Sequence, residues 1–362
     1  MHETELEYWL AWNQVPGVGP SRFYKLQREF GSMKQAWLAK AEELELLIGA
    51  KAVAGWRKVK RHWDGQNEFA RLERYHFKVY CYPDVAYPAN LKQIPDPPPV
   101  LYCWGGLEYR DQVAVAVVGT RNPTPVGSFH ARELGAQLSR QGLTVVSGMA
   151  RGIDSFAHQG ALETGGRTIA VLGCGLDVVY PPENRKLMES IAGQGAVISE
   201  YPLGTPPLAG NFPARNRIIS GLSLGVVVVE AARDSGSLIT ADLALEQGRE
   251  VFAVPGNIEN EGSRGPHKLI REGAVLVENY QDILAELAIP QLNRDELGTV
   301  QTSDLTDLEA RVYAVLDREP VHIDQIQRKA ALTAAEVNFT LTQLELKGIA
   351  KRFPGQLYLR DR

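Results

Sequence analysis

Seven short apolar runs alternate with segments of helical periodicity between Val113 and about Ala288, and they leave few folds open to the chain. The runs are Val113–Val118, Thr144–Ser147, Thr168–Leu172, Ala196–Ser199, Gly225–Val229, Val251–Val254 and Val275–Val277. They are rich in β-branched side chains and nearly free of charge, which fits strands covered on both faces. Strand and helix in strict alternation predict an α/β fold with a mostly parallel, doubly wound sheet. At 362 residues there is room for further domains on either side.

Glycine and arginine gather where these strands hand over to helices. Gly119 breaks the first run, Thr120 and Arg121 follow, and a helix pattern runs from Gly127 to Arg140. Ser147, Gly148, Met149, Arg151 and Gly152 form a second such turn, and Phe212-Pro213-Ala214-Arg215-Asn216-Arg217 a third. Open α/β sheets hold phosphates at this edge, on turn amides and helix N-termini. Between Val113 and Pro290 stand twelve Arg and two Lys. Arginine suits planar, bidentate phosphate contact, although an isolated one is usually surface charge. The net charge of −4 supplies no global pull on nucleic acid, so any anion site is local. Three loops at one edge suit a chain of phosphates. Phe212 would stack on a base while Arg215 and Arg217 grip phosphates on either side of Asn216. The plainer alternative is a helix start with solvated charges. A fourth turn, Asp234-Ser235-Gly236-Ser237, either holds phosphate or only caps its helix.

Several standard catalytic signatures are missing. No GxxxxGK[ST] occurs, and Gly173-Cys174-Gly175 meets Val178 where GxGxxG needs its third glycine. HExxH and a metal-type Cys/His cluster are absent too. Asp154 and His158 read as a cap and a packed or surface imidazole. An anion site without a paired nucleophile and base points to binding, with no metal and no cofactor. The rival is a nucleotide-acting enzyme of the phosphoribohydrolase type, for which Asp154, Glu200 and Glu230 are the only candidate bases. The odd count of three cysteines opposes a disulfide framework, and Cys174 reads as a small buried filler. With no leader and no apolar stretch of membrane length, the chain reads as cytoplasmic.

The flanks differ from the centre. Residues 1–75 read as an amphipathic helical domain, with Trp9, Leu10, Trp12, Phe23, Leu26 and Trp37 at helical spacing. Val15-Pro16-Gly17-Val18-Gly19-Pro20 resembles the turn of a helix-hairpin-helix, although a structural helix–helix turn is the simpler reading. Arg57, Lys58, Lys60 and Arg61 read as a solvated helix face. Phe77 to Leu107, rich in proline and aromatics, reads as an ordered connector along a sheet edge and not as a regular element. Residues 291–304 form a polar linker. Residues 305–362 follow winged-helix order, with Thr333 and Glu336 as a capping box at the third helix. That helix carries few cations, which favours docking or regulation over reading of DNA.

The central motifs strongly resemble the DprA/Smf family. They are Gly119-Thr120-Arg121, Ser147 to Asp154 with Ala157-His158, Tyr180-Pro181 with Glu183-Asn184, Phe212-Pro213 with Arg215-Asn216-Arg217, Ser235 to Ala241, and Val254-Pro255-Gly256. The resemblance implies an extended Rossmann-like domain over 76–290, flanked by an N-terminal sterile-alpha-motif-like domain and a C-terminal winged helix. It further implies a non-enzymatic dimer that binds and protects single-stranded DNA in natural transformation. Such a dimer loads the RecA recombinase, including onto strands coated by single-stranded-DNA-binding protein. The matching DNA-contact candidates are Gly119, Thr120, Arg121, Ser147, Gly148, Met149, Arg151, Gly152, Phe212, Arg215, Asn216 and Arg217. Some relatives place a basic residue directly after the Tyr-Pro pair. Here that position is Pro182, so the contact falls to Arg185 or Lys186. His267, Leu269 and Leu276 match the dimer-forming region.

Overall fold

The computed structural model describes residues 3–290, 305–317, 320–347, 349–353 and 355–360; the expected linker at 291–304 lies outside the described residues. Nine strands form the main sheet: β1 (Phe77–Cys81), β2 (Val100–Gly105), β3 (Ala114–Val118), β4 (Thr144–Ser147), β5 (Thr168–Val171), β6 (Ala196–Ser199), β7 (Gly225–Val228), β8 (Glu250–Ala253) and β9 (Val275–Leu276). Their order is β1-β2-β6-β5-β4-β3-β7-β8-β9. Strands β3 to β9 run parallel, while β2 pairs antiparallel with both β1 and β6. The chain steps outward from β3 to β6, then crosses back to lay β7 beside β3. That reversal is a topological switch point, and the loops after β3 and β7 part there.

All seven expected strands are present, because doubly covered strands need the β-branched runs that mark them. The stretch from Phe77 to Leu107 is a correction. It contributes β1 and β2, an antiparallel pair that extends the sheet beyond β6. Proline is confined to the turns around them, and β2 itself is the apolar run Val-Leu-Tyr-Cys-Trp.

Six helices precede the sheet, from Glu3–Asn13 to Gly65–Arg74. Their core, with Trp9, Trp12, Phe23, Leu26 and Trp56, is continuous with Met149, Leu172, Cys174 and Leu176 of the sheet layer. The Pro16–Gly19 turn packs structurally: Gly17 has φ +84 and its carbonyl accepts from Arg22 at 2.6 Å.

The last unit has helices Asp307–Val315, Ile323–Ala330 and Ala334–Leu346, with strands β10 (Val321–His322), β11 (Ala350–Phe353) and β12 (Leu357–Arg360) in the order β10-β12-β11. Thr333 and Glu336 form the expected capping box. Phe353, Leu357 and Leu359 pack with Val113 and Leu143, and His322 stacks on Tyr109 at 4.8 Å. The winged helix therefore rests at the N-terminal ends of β3 and β4, opposite the glycine-rich loops. Its third helix has no Lys or Arg and exposes Phe339. Among the described residues, no helix is long and apolar enough to cross a membrane.

Candidate nucleic-acid interface

The loops after β3, β4 and β7 are tied into one ledge. Thr120 N donates to Glu230 O at 2.7 Å, and Ile153 N donates to Thr120 O at 3.2 Å. Two glycines permit this closeness. Gly152 has φ +75, and a Cβ there would stand 2.4 Å from Thr120 O. At Gly148 a Cβ would fall 2.6 Å from the Arg215 guanidinium.

A cleft opens on this ledge, lined by Arg121, Arg151, Arg215, Tyr180, Phe212 and the backbone of Gly148 and Gly173. Arg121 is exposed, with its guanidinium carbon 5.5 Å from the centre of the Phe212 ring. That contact is worth about 0.5–1 kcal/mol and holds the cation over an aromatic face. On the other side of Phe212 lies Tyr180, with ring centres 5.4 Å apart. Arg215 is buried beneath, donating to Gly148 O at 2.8 Å and to Val171 O. Burial lowers its pKa and Asp154 opposes that shift; a guanidinium stays charged regardless. The cleft therefore offers two surface cations, a fixed charge in the floor and a stacking ring. Asn216 donates to Gly236 O at 3.3 Å, and Arg185 and Lys186 stand exposed on the first turn of helix Arg185–Gln194.

Arg217 does not join them, which corrects the expected four-arginine trough. Residues two apart on a helix point about 200° apart, so Arg215 and Arg217 cannot face one cleft. Arg217 is buried, gripping Glu200 at 2.7 Å and Asp96 at 2.9 Å. Ser147 and Met149 are also withdrawn. The Ser147 hydroxyl is fully buried and donates to Val117 O at 2.6 Å. The Met149 side chain packs in the core while its backbone makes the turn at φ 55. In the expected dimer region, Leu269 is buried in the sheet core, whereas Leu276 is exposed on the edge strand β9. His267 Nε2 lies 3.1 Å from Gly256 O.

A family profile described as DNA recombination-mediator protein A matches residues 78–288, and one described as the DprA winged helix domain matches 299–356. The chain belongs to the DprA/Smf family. Protein Smf of Synechocystis sp. is 40% identical, covering 99% of this chain and 100% of that protein. DNA processing protein DprA of Streptococcus pneumoniae is 44% identical over 67% of this chain and 87% of its own length. The X-ray structure of the pneumococcal protein superposes with a TM-score of 0.68 at 38% identity, covering 77% of this chain and 97% of that one. A DprA structure from Helicobacter pylori, described in terms of its single-stranded DNA binding mode, gives 0.54 at 34% identity, covering 59% and 96%. The fold of this DprA/Smf chain is thus Rossmann-like with a C-terminal winged helix.

The three carboxylates that are the only candidate bases for a nucleotide-acting enzyme are all engaged as acceptors in this family member. Glu230 takes Thr124 N at 2.8 Å and Thr124 Oγ1 at 2.5 Å, fixing the far side of the Arg121 loop. Asp154 takes Gly148 N at 3.1 Å and Ala150 N at 3.3 Å, shaping the second loop. Glu200 is held by Arg217. His158 is buried with Nδ1 2.6 Å from Thr168 Oγ1. Cys174 is a free buried thiol, pushed up to about 11 by burial. Among the described residues, no group of three or more His, Cys, Asp or Glu is placed to hold a metal.

Tyr180 and Asn184 were legible as motif residues but not as parts of the site. Asn184 Nδ2 bridges Met149 O and Ser155 Oγ, each at 2.9 Å, so it braces the second loop. Glu183 ion-pairs with the exposed Arg151, raising the pKa of the arginine chiefly through their hydrogen bond. A phosphate approaching the Nε edge of Arg151 would compete with this carboxylate. Glu183→Gln should therefore tighten binding of an oligonucleotide by about two- to fivefold at low salt, read by fluorescence anisotropy. Weaker binding would show that Glu183 organises Arg151 instead of masking it.

Proposed function

We propose that this protein binds single-stranded DNA along the C-terminal edge of its sheet and delivers the strand to a recombinase. The observation that carries the reading is the convergence of Arg121, Arg151 and Arg215 around Phe212 in one cleft, on a chain of net charge −4. Turn amides and guanidinium groups hold the backbone, and bases stack or face outward without sequence readout. Membership of the DprA/Smf family, and the Helicobacter pylori relative described by its single-stranded DNA binding mode, support this.

The finer reading is that of a cytoplasmic homodimer, with β9 and Leu276 at the contact, that loads RecA onto strands coated by single-stranded-DNA-binding protein. Two linked clefts would gain affinity through avidity. The phosphoribohydrolase reading has little support, since Glu200, Glu230 and Asp154 are tied up as structural acceptors. A duplex-reading winged helix is disfavoured by a third helix with no cation.

Anisotropy on a single strand and a duplex of equal length tests this proposal. The single strand is expected to bind more tightly, with affinity falling as salt rises. Equal binding of the duplex, or turnover of a nucleoside monophosphate, would contradict it.

A further inference from the structure

The loop after β5, residues 173–181, ends in the Tyr180-Pro181 wall of the cleft. Its middle is held from outside the sheet. Asp177 Oδ1 accepts from Gly204 N at 2.7 Å, and Gly175 N donates to Thr205 O at 3.0 Å, so the loops after β5 and β6 are laced together. The other oxygen of Asp177 pairs with Arg71 of the N-terminal helix Gly65–Arg74 at 3.2 Å. Arg71 also pairs with Glu68 at 3.3 Å. Glu68 is buried, and its second carboxylate oxygen has no partner. Arg71 is thus the cation between a buried carboxylate of the helical domain and the carboxylate that closes the loop. A second tie lies nearby, where Asn13 Nδ2 donates to Glu200 O at 3.0 Å.

We propose that the N-terminal helical domain sets the geometry of the DNA cleft through this clasp, with Arg71 as a positioning residue. Asp177 is three residues before Tyr180; Tyr180 packs on Phe212, and Phe212 carries Arg121. Arg71 itself does not line the cleft. Without the clasp, Tyr180 and Phe212 lose a fixed backing, and the ring that orients Arg121 is no longer preorganised. The inference rests on the single-strand reading above and deepens it: the helical domain acts as part of the binding site and not as a separate module.

The test is binding of a labelled oligothymidylate to the full chain across a salt series. Arg71→Ala should weaken binding by about three- to tenfold while leaving the salt slope at the wild-type value, because no phosphate contact is lost. Arg71→Lys, which keeps a cation within reach of Asp177, should restore most of the affinity. In a Phe212→Ala background, Arg71→Ala should cost little more, since both act through one ring. Wild-type affinity in Arg71→Ala, a lowered salt slope, or losses that multiply in full with Phe212→Ala would each overturn the proposal. Should Arg71→Ala fail to fold, as read by tryptophan emission, Asp177→Asn replaces it under the same criteria. A wild-type chain that does not bind the oligonucleotide refutes the single-strand reading itself; a binding wild type with an indifferent Arg71→Ala refutes the clasp alone.

Discussion

Arg217→Ala is expected to destabilise the protein by about 3–5 kcal/mol, the usual cost of leaving a buried ion-pair partner behind. Both ends of the pair are shielded, with side-chain exposures of 9% for Arg217 and 13% for Glu200. Two guanidinium nitrogens meet the two oxygens of Glu200, at 3.0 and 2.7 Å. Burial already raises the Glu200 pKa, and Arg217 is the main influence opposing that rise. Asp96 is half exposed and adds little. Urea unfolding of the variant measures the loss. Pairing Arg217→Ala with Glu200→Gln should recover part of it, because the second change removes the stranded charge. A stable Arg217→Ala with a reduced salt slope for DNA would place this side chain back at the interface.

Acid should weaken the fold through His158. Burial, and secondarily the Arg215 charge, press its pKa from 6.5 to about 3. Below 6.5 the unfolded chain binds a proton that the folded chain refuses. Stability is therefore complete above 6.5 and is lost as the pH falls from there toward 3, where the loss levels off. Between about pH 7 and about pH 5 the loss amounts to about 2 kcal/mol. Asp154 and Glu200 work in the opposite sense. Burial raises both, so their unfavourable contribution grows as the pH rises through their shifted range. The His158 share is isolated by comparing wild type with His158→Asn at both pH values. The variant should lose this difference; an equal pH dependence in the two proteins would show that His158 is protonated in the fold.

The sequence disclosed the sheet and its loaded edge, since β-branched runs ending in glycine have few other uses. It concealed β1 and β2, whose flanking prolines look like connector although they only bracket the strands. The arginines of the third loop were legible as a group but not by direction. Helical geometry sends Arg215 under Gly148 and Arg217 toward Glu200, and the carboxylate that captures Arg217 lies 17 residues away. Ser147 has the residue type of an anion donor, yet Val117 O claims its hydroxyl. Leu269 and Leu276 look alike on the page, and only the turn after helix Arg264–Arg271 decides which is core and which is edge. Tyr180 stands in the cleft on a loop whose Asp177 pairs with Arg71, 106 residues away, a relation that no local pattern encodes.

The central claim is a cleft in which Arg121 meets a phosphate, and a salt titration of oligonucleotide binding tests it most directly. For wild type, the logarithm of affinity should fall linearly with the logarithm of salt concentration. Arg121→Ala should weaken binding alike for all sequences and reduce that slope by about one ion. Unchanged affinity and slope would take Arg121 out of the site and contradict the account.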